Sequence, residues 1–443
     1  MSQDDLKRES LVQAYRKRIG PLPEKPPLDM RVTGRRRLNS FGEYEEWRVE
    51  YTGWTAASMP EPALRRIPAY ILIPAGERGG PPYPAALCFH QCNCDCWIGK
   101  EAVVGRNVDR PDQAYGLELV RQGFAVLAPD HILCGERSAP HMRGEAEPFS
   151  GDCIPVLSEA AGAGPGDDLL RLCTFDVLRS VDLLESLSFV DPTRILAVGH
   201  SLGAGDVCRA MAADARIGIG ITSGGGPNEE LAACIAPRLF MQLQGRFDGG
   251  PERVRQSERI HARTRGFYET AGAPDNLVLD IAACNHCFID GFKWRAYARA
   301  KRHFGMLPPV EKVDLGEVVR SAFASWDDGG GRAAHWLESF PDVLDSCMVE
   351  GNGEVLAAAF ALLLTVIARK HGEHLPLRLS AAFTPGRCAV RFTVPGGSAL
   401  TRGAKDHPDG FIAGQRFADS GAELRQSDTP GALQYLVTLG LAS

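Results

Sequence analysis

From Pro84 onward the chain alternates short apolar segments with helical ones, and this rhythm restricts the fold more than any other feature. The strand-like segments are Ala85–Phe89, Phe124–Ala128, Arg194–Val198, Ile217–Ile221, Leu239–Leu243 and Leu277–Ile281. Between and after them, helical spacing covers Tyr115–Gln122, Leu169–Leu187, Leu202–Ala213, Glu252–Thr270 and Ile289–Phe304. Strands that are apolar on both sides need cover on both faces, and the intervening helices supply it. The pattern therefore predicts an α/β fold with a mostly parallel sheet and right-handed crossovers. Upstream, Trp47–Tyr51 and Ile67–Ile73 read as strands, and residues 1–30 as an amphipathic helix followed by a proline-rich arm. The stretch Ser138–Asp168 breaks the rhythm just after a strand end. It is rich in Gly, Pro and acidic residues, and such interruptions are where lids and binding loops are placed.

Length and charge narrow the classes further. A chain of 443 residues holds two or three domains at a prior of about 150 residues each. The pattern changes near Met306–Pro309, so residues 1–308 are read as one α/β domain with an N-terminal arm. Residues 309–443 are read as a smaller accessory α+β domain with strands at Leu377–Phe383, Cys388–Val394 and Leu433–Leu439. With 49 Lys and Arg against 55 Asp and Glu, the net charge of −6 excludes a strongly basic nucleic-acid binder. The longest nearly apolar run, Val355–Ala368, has 14 residues against the roughly 20 that a membrane span needs, so it reads as a buried helix. The N-terminus is charged and lacks the apolar core of a secretion signal. Thirteen cysteines in such a chain imply reduced thiols and a cytoplasmic location rather than a disulfide framework.

Chemistry enters at Gly199-His200-Ser201-Leu202-Gly203, which fits G-x-S-x-G. The bare pattern is weak, since a chain with 48 glycines yields roughly a quarter of a match by chance. Its setting is what gives it weight: a strand precedes it and a helix follows it, as in a nucleophile elbow. A serine alcohol needs a base, and the base needs an orienting acid. In this arrangement the chain order is Ser, then acid, then His. Asp248 lies in a glycine-rich loop past the strand Leu239–Leu243, and His286 lies just past Leu277–Ile281. Both therefore fall at the sheet edge where α/β proteins place their ligands. The oxyanion needs two N–H donors, worth about 3 kcal/mol each. Leu202 N–H is one candidate. The other comes from the loop Phe89-His90-Gln91-Cys92-Asn93, with Cys92 N–H preferred and Gln91 the alternative. His200 reads as a packing residue of the elbow.

Together with Phe89-His90-Gln91, Gly99-Lys100, Tyr115–Leu119, Val126–Asp130, Gly135-Glu136-Arg137, Val190–Ile195 and Asn285–Phe288, these motifs resemble the dienelactone-hydrolase-like and acetyl-xylan-esterase-like branch of the α/β-hydrolases. The resemblance covers about Tyr70 to Phe304. It implies the α/β-hydrolase fold and ester hydrolysis through an acyl-serine intermediate, with a small-molecule ester as substrate and no cofactor. Dienelactone hydrolases proper use a cysteine nucleophile; Ser201 here points towards ordinary carboxylic esters, with thioesters as an alternative.

Other features are weighed against plainer readings. Cys92-Asn93-Cys94-Asp95-Cys96 lacks the C-x₂₋₄-C spacing of zinc sites and reads as partly buried thiols, with oxidant sensing as a second reading. Glu136 and Arg137 read as a structural ion pair or loop anchor. The C-terminal region ends in a pattern faintly resembling a histidine-kinase-type ATP-binding domain, without recognisable nucleotide boxes. It is read as an interaction or dimerisation module, so a rival to the enzyme is a hydrolase-shaped scaffold that acts through this domain.

Overall fold

Apolar strands need a neighbour on each edge and cover on each face. In the computed structural model, which describes residues 2–38, 44–54, 65–75, 80–92, 98–107, 109–132, 134–138, 167–307, 311–327, 348–351, 356–364, 378–384, 387–395, 415, 417–420, 422–429 and 432–440, they find both. The chain divides into two units, Met1–Phe288 and Ile289–Ser443.

The elements of the first unit are α1 (Gln3–Ile19), β1 (Arg31–Leu38), β2 (Tyr44–Thr52), β3 (Arg66–Pro74), β4 (Tyr83–Phe89), α2 (Lys100–Val103), α3 (Tyr115–Val120), β5 (Ala125–Pro129) and α4 (Asp167–Ser186). They continue with β6 (Val190–His200), α5 (Leu202–Ala213), β7 (Ile217–Ser223), α6 (Glu229–Ile235), β8 (Leu239–Gly245), α7 (Pro251–Thr270) and β9 (Leu277–Ala282). Nine strands form one sheet in the order β1-β2-β3-β5-β4-β6-β7-β8-β9. The pairs β1–β2, β2–β3 and β3–β5 are antiparallel and all the others are parallel. This is the mostly parallel α/β sheet that the strand–helix rhythm predicts.

Alternate residues of the central strands (Leu87, Leu127, Ile195, Ala197) share one buried cluster with Val177, Val181 and Leu184 of α4 and Val207 and Met211 of α5. Each such aliphatic side chain taken fully from water stabilises by about 1.5–3 kcal/mol. At the N-terminus, the Ser2 side chain caps α1 in a reciprocal box with Asp5. Arg8 of α1 then donates to Ala233 O (2.9 Å) and Ala236 O (2.6 Å), carbonyls at the end of α6 that the helix leaves without partners.

Two elements of this unit are not marked by a long apolar pattern: an exposed strand and a short helix. β1 reads R-V-T-G-R-R-R-L, and residues 31–37 are all exposed. Its position comes from the β2 ladder and not from burial; Arg35 lies over the Trp47 ring at 4.1 Å. α6 is a short helix, capped at Asn228 by a bond from Leu231 N–H. Of the expected lid stretch, residues 139–166 lie outside the described residues.

The second unit has its own core. Its elements are α8 (Asp290–His303), β10 (Glu311–Asp314), α9 (Leu315–Asp327), β11 (Met348–Gly351), a helix at 356–364, β12 (Arg378–Thr384), β13 (Arg387–Pro395), β14 (Glu423–Thr429) and β15 (Ala432–Gly440). Four strands form an antiparallel sheet in the order β12-β13-β15-β14, and β10 pairs with β11. Val319 and Phe323 of α9, Phe360 and Leu363 of the 356–364 helix, and Val390, Phe392 and Val437 of the sheet pack together. Residues 356–364 of the apolar run thus form a buried helix, while Val355 and residues 365–368 lie outside the described residues. Lys301 and Asp419 form an ion pair that ties α8 to the segment before β14.

Candidate active site

The turn from β6 into α5 is forced by two close approaches. A Cβ on Gly199 would sit 2.3 Å from Gly203 O, and one on Gly203 would sit 2.1 Å from Phe89 O. Only hydrogen fits at either place, and the start of α5 therefore lies directly on the end of β4. Between them Ser201 adopts φ 56°, ψ −114°. Among the described residues only Ser201 and Asp29 have a positive φ without being glycine. Such a conformation costs about 1–3 kcal/mol and persists only where its surroundings hold it. Here the Ser201 N–H is fixed by a 2.8 Å bond to Ser223 O at the end of β7.

Asp248 and His286 come from the loops after β8 and β9. Those loops are laced together by Arg246 N–H to Ala282 O (2.8 Å) and Phe247 N–H to Cys284 O (3.1 Å). Asp248 is buried, and its Oδ2 lies 2.9 Å from His286 Nδ1. An ionised carboxylate can only accept, so Nδ1 carries the proton and Nε2 is left with its lone pair, the tautomer a general base requires. The His286 side chain is 42% exposed, so the imidazole is within reach of solvent. Among the described residues no hydrogen bond joins the Ser201 hydroxyl to the His286 ring. Both border one segment, however: a Cβ on Gly224 would lie 2.7 Å from His286 Cε1, and one on Gly225 would lie 3.4 Å from Ser201 O. Bonds of this kind are often loose before substrate is bound.

The two expected oxyanion donors also lie at this rim. Leu202 N–H is at the first position of α5, where no intrahelical acceptor exists. Cys92 is half-buried in the loop after β4. His90 pins that loop. Its Nε2 accepts from His131 N–H (3.0 Å), so Nδ1 carries the proton and donates to Gln91 O (2.9 Å). The Tyr115 hydroxyl donates to Phe89 O one residue earlier. Cys94 and Cys96 lie outside the described residues, while Cys284 and Cys287, both partly buried, flank His286.

Around this centre, sequence reasoning reads His200 as a packing residue of the elbow and misses Ser223 and Arg253. His200 is buried with its ring 4.6 Å from that of His286, and its Nδ1 is 3.1 Å from Ser223 Oγ. Burial first, and His286 second, push its pKa down to about 3, so the ring is neutral. Arg253 of α7 reaches Asp248 Oδ1 (3.4 Å) and Gly224 O (3.1 Å). The Ser223-Gly224-Gly225-Gly226 run was the available signal, since consecutive glycines after a strand mark a close backbone approach.

Glu136 and Arg137 each anchor their loop through a partner elsewhere in the chain. Lys100 Nζ, fully buried, lies 2.5 Å from Asp130 and 2.6 Å from Glu136, while Arg137 lies 2.7 Å from Asp176. Burial alone would lower the Lys100 pKa; Asp130, Glu101 and Glu136 outweigh it and hold the value well above normal. Among the described residues no three side chains gather as a metal site.

No family model matches the chain. A curated protein of Bacillus subtilis strain 168, named "Putative hydrolase YtaP", is 29% identical over 138 residues, which is 31% of this chain. The match spans 41% of that relative's length. Among solved structures, the fold is similar to a glucuronoyl esterase from Solibacter usitatus (TM-score 0.49, 15% identity, 67% of this chain and 91% of that one). It is also similar to an acetyl xylan esterase from Paenibacillus sp. R4 (TM-score 0.38, 14% identity, 68% and 95%).

Proposed function

We propose that this protein is a serine hydrolase of carboxylic esters. The observation that carries the reading is the 2.9 Å Asp248–His286 contact at the rim that also holds the strained Ser201. Nucleophile, acid and base follow three different strands, β6, β8 and β9, in the chain order of a nucleophile-elbow fold. His286 Nε2 takes the proton of Ser201 Oγ as the oxygen bonds to the ester carbonyl carbon. Asp248 holds the imidazole in its tautomer and stabilises the imidazolium that forms. The carbonyl oxygen becomes an oxyanion, which Leu202 and Cys92 N–H groups receive. The C–O bond to the alcohol breaks, and the alcohol leaves with the proton from His286. A water, giving its proton to His286, then attacks the acyl carbon; the acid departs and Ser201 recovers its proton. These steps use protein groups and water alone. The half-exposed imidazole supports a solvent-reachable substrate such as a small ester.

The test is hydrolysis of p-nitrophenyl acetate together with labelling by a fluorophosphonate. Wild-type protein is expected to turn over the ester and to label at Ser201. Ser201→Ala is expected to lose at least about 10⁴-fold in kcat and all labelling. Full turnover by the Ala variant would overturn the reading. Absence of both turnover and labelling in the wild type would favour the scaffold, which the separate core of Ile289–Ser443 makes the natural rival.

A further inference from the structure

Ser223, at the end of β7, joins the two halves of the centre. Its carbonyl accepts from Ser201 N–H at 2.8 Å. Its hydroxyl donates to Cys287 O at 3.3 Å, one residue beyond His286. The same oxygen lies 3.1 Å from His200 Nδ1. A hydroxyl has one hydrogen, so with that hydrogen on Cys287 the His200 ring must be the donor. His200 in turn packs its ring on that of His286. The next residue continues the pattern: Gly224 O accepts from Arg253, whose other nitrogen reaches Asp248.

We infer that Ser223 is a positioning residue, which sets the separation between the Ser201 hydroxyl and the His286 ring by fastening the elbow to the histidine loop; the inference rests on the esterase reading above. Ser223 is fully buried, and packing alone would be met by an alanine. A buried hydroxyl is tolerated when its bonding capacity is used, and this one is used in both directions. No other described side chain bonds both the residue before the nucleophile and the residue after the base. Without the hydroxyl, His200 keeps a buried N–H with no acceptor there, and the histidine loop loses its bond to β7. The consequence falls on the geometry of proton transfer, where a displacement of about 1 Å costs about 10²-fold.

The test compares Ser223→Ala, Ser223→Thr, His200→Phe and the double variant Ser223→Ala/His200→Phe, using p-nitrophenyl acetate kinetics, the rate of fluorophosphonate labelling, and thermal melts. Ser223→Ala is expected to lose about 10–100-fold in kcat and in labelling rate. Its KM is expected to stay within about twofold, and its melting temperature within a few degrees. Thr restores the hydroxyl and most of the rate. Because Ser223→Ala and His200→Phe sever one link, the double variant loses no more than the worse single one. Should the Thr variant melt early, the double-variant comparison decides. Wild-type rates in Ser223→Ala, or losses that multiply in the double variant, overturn the inference and leave the esterase reading intact. A wild type that neither turns over nor labels overturns both.

Discussion

Two polar clusters stand past the ends of parallel strands in the same sheet, and they are built by opposite rules. Beyond β5, Asp130 accepts from Lys100 Nζ (2.5 Å), Lys100 N–H (2.9 Å) and Glu136 N–H (3.1 Å). A Cβ on Gly99 or Gly135 would come within 2.1 or 2.3 Å of its carboxylate, so the backbone closes round it as well. Beyond β6, β8 and β9, Ser201 is held in an unfavourable backbone conformation, and the partly exposed His286 has one nitrogen engaged by Asp248. In the first cluster, partners are saturated and the ions cannot move. In the second, a lone pair and a hydroxyl are kept in reserve. Stability belongs to the first arrangement and reactivity to the second, because a group whose bonds are all spent has none to exchange with a substrate.

The contrast is strongest for Lys100. Lys100→Met leaves Asp130 and Glu136 without their buried cation and should cost about 3–5 kcal/mol of unfolding free energy. Turnover per folded molecule should stay within a few-fold of wild type. Denaturant unfolding alongside active-site titration checks this, and a stable but inactive variant would erase the distinction. A smaller effect of opposite sign is expected at the second cluster. Ser201→Gly relieves the positive-φ strain and should raise stability by up to about 1–3 kcal/mol while abolishing hydrolysis. A melting temperature at or below wild type would mean that Ser201 is not strained in solution.

The smallest effect concerns acid. Glu136 is half-buried, and although burial alone would raise its pKa, Lys100 and Arg48 hold it below the usual value. A group depressed on folding contributes stability above its unfolded pKa, near 4.5, and loses it as pH falls through the lower folded value. Melting temperatures taken from neutral pH down past 4.5 should therefore decline, and Glu136→Gln should flatten that decline. A Gln variant with the same acid dependence as wild type would remove Glu136 from the account.

Much of this was legible before any coordinates. The helix Leu202–Ala213 and the strands β4 to β8 follow from apolar patterning, because their burial is written directly into composition; β9 is apolar enough to read as a strand although its residues are only half-buried. The rim position of Asp248 and His286 follows from chain order past strand ends. β1 was not legible, because an edge strand whose residues 31–37 are all exposed has no apolar alternation to read. β14, E-L-R-Q-S-D-T, likewise shows no apolar alternation in its sequence and is paired along its ladder to β15. Lys100 and Ser223 were not legible either. Their importance lies in partners 30 and 22 residues away along the chain, and long-range hydrogen bonds leave no local pattern.

The arginine-lined strand at the sheet's open margin has a further consequence. An unpaired margin offers N–H and C=O groups to any strand that comes alongside, and such invitations end in fibres. Charged side chains along that strand, with residues 31–37 all exposed, disfavour a second strand coming alongside. The strand that looks least like a strand thus carries, in its charged side chains, a guard against pairing along its own edge.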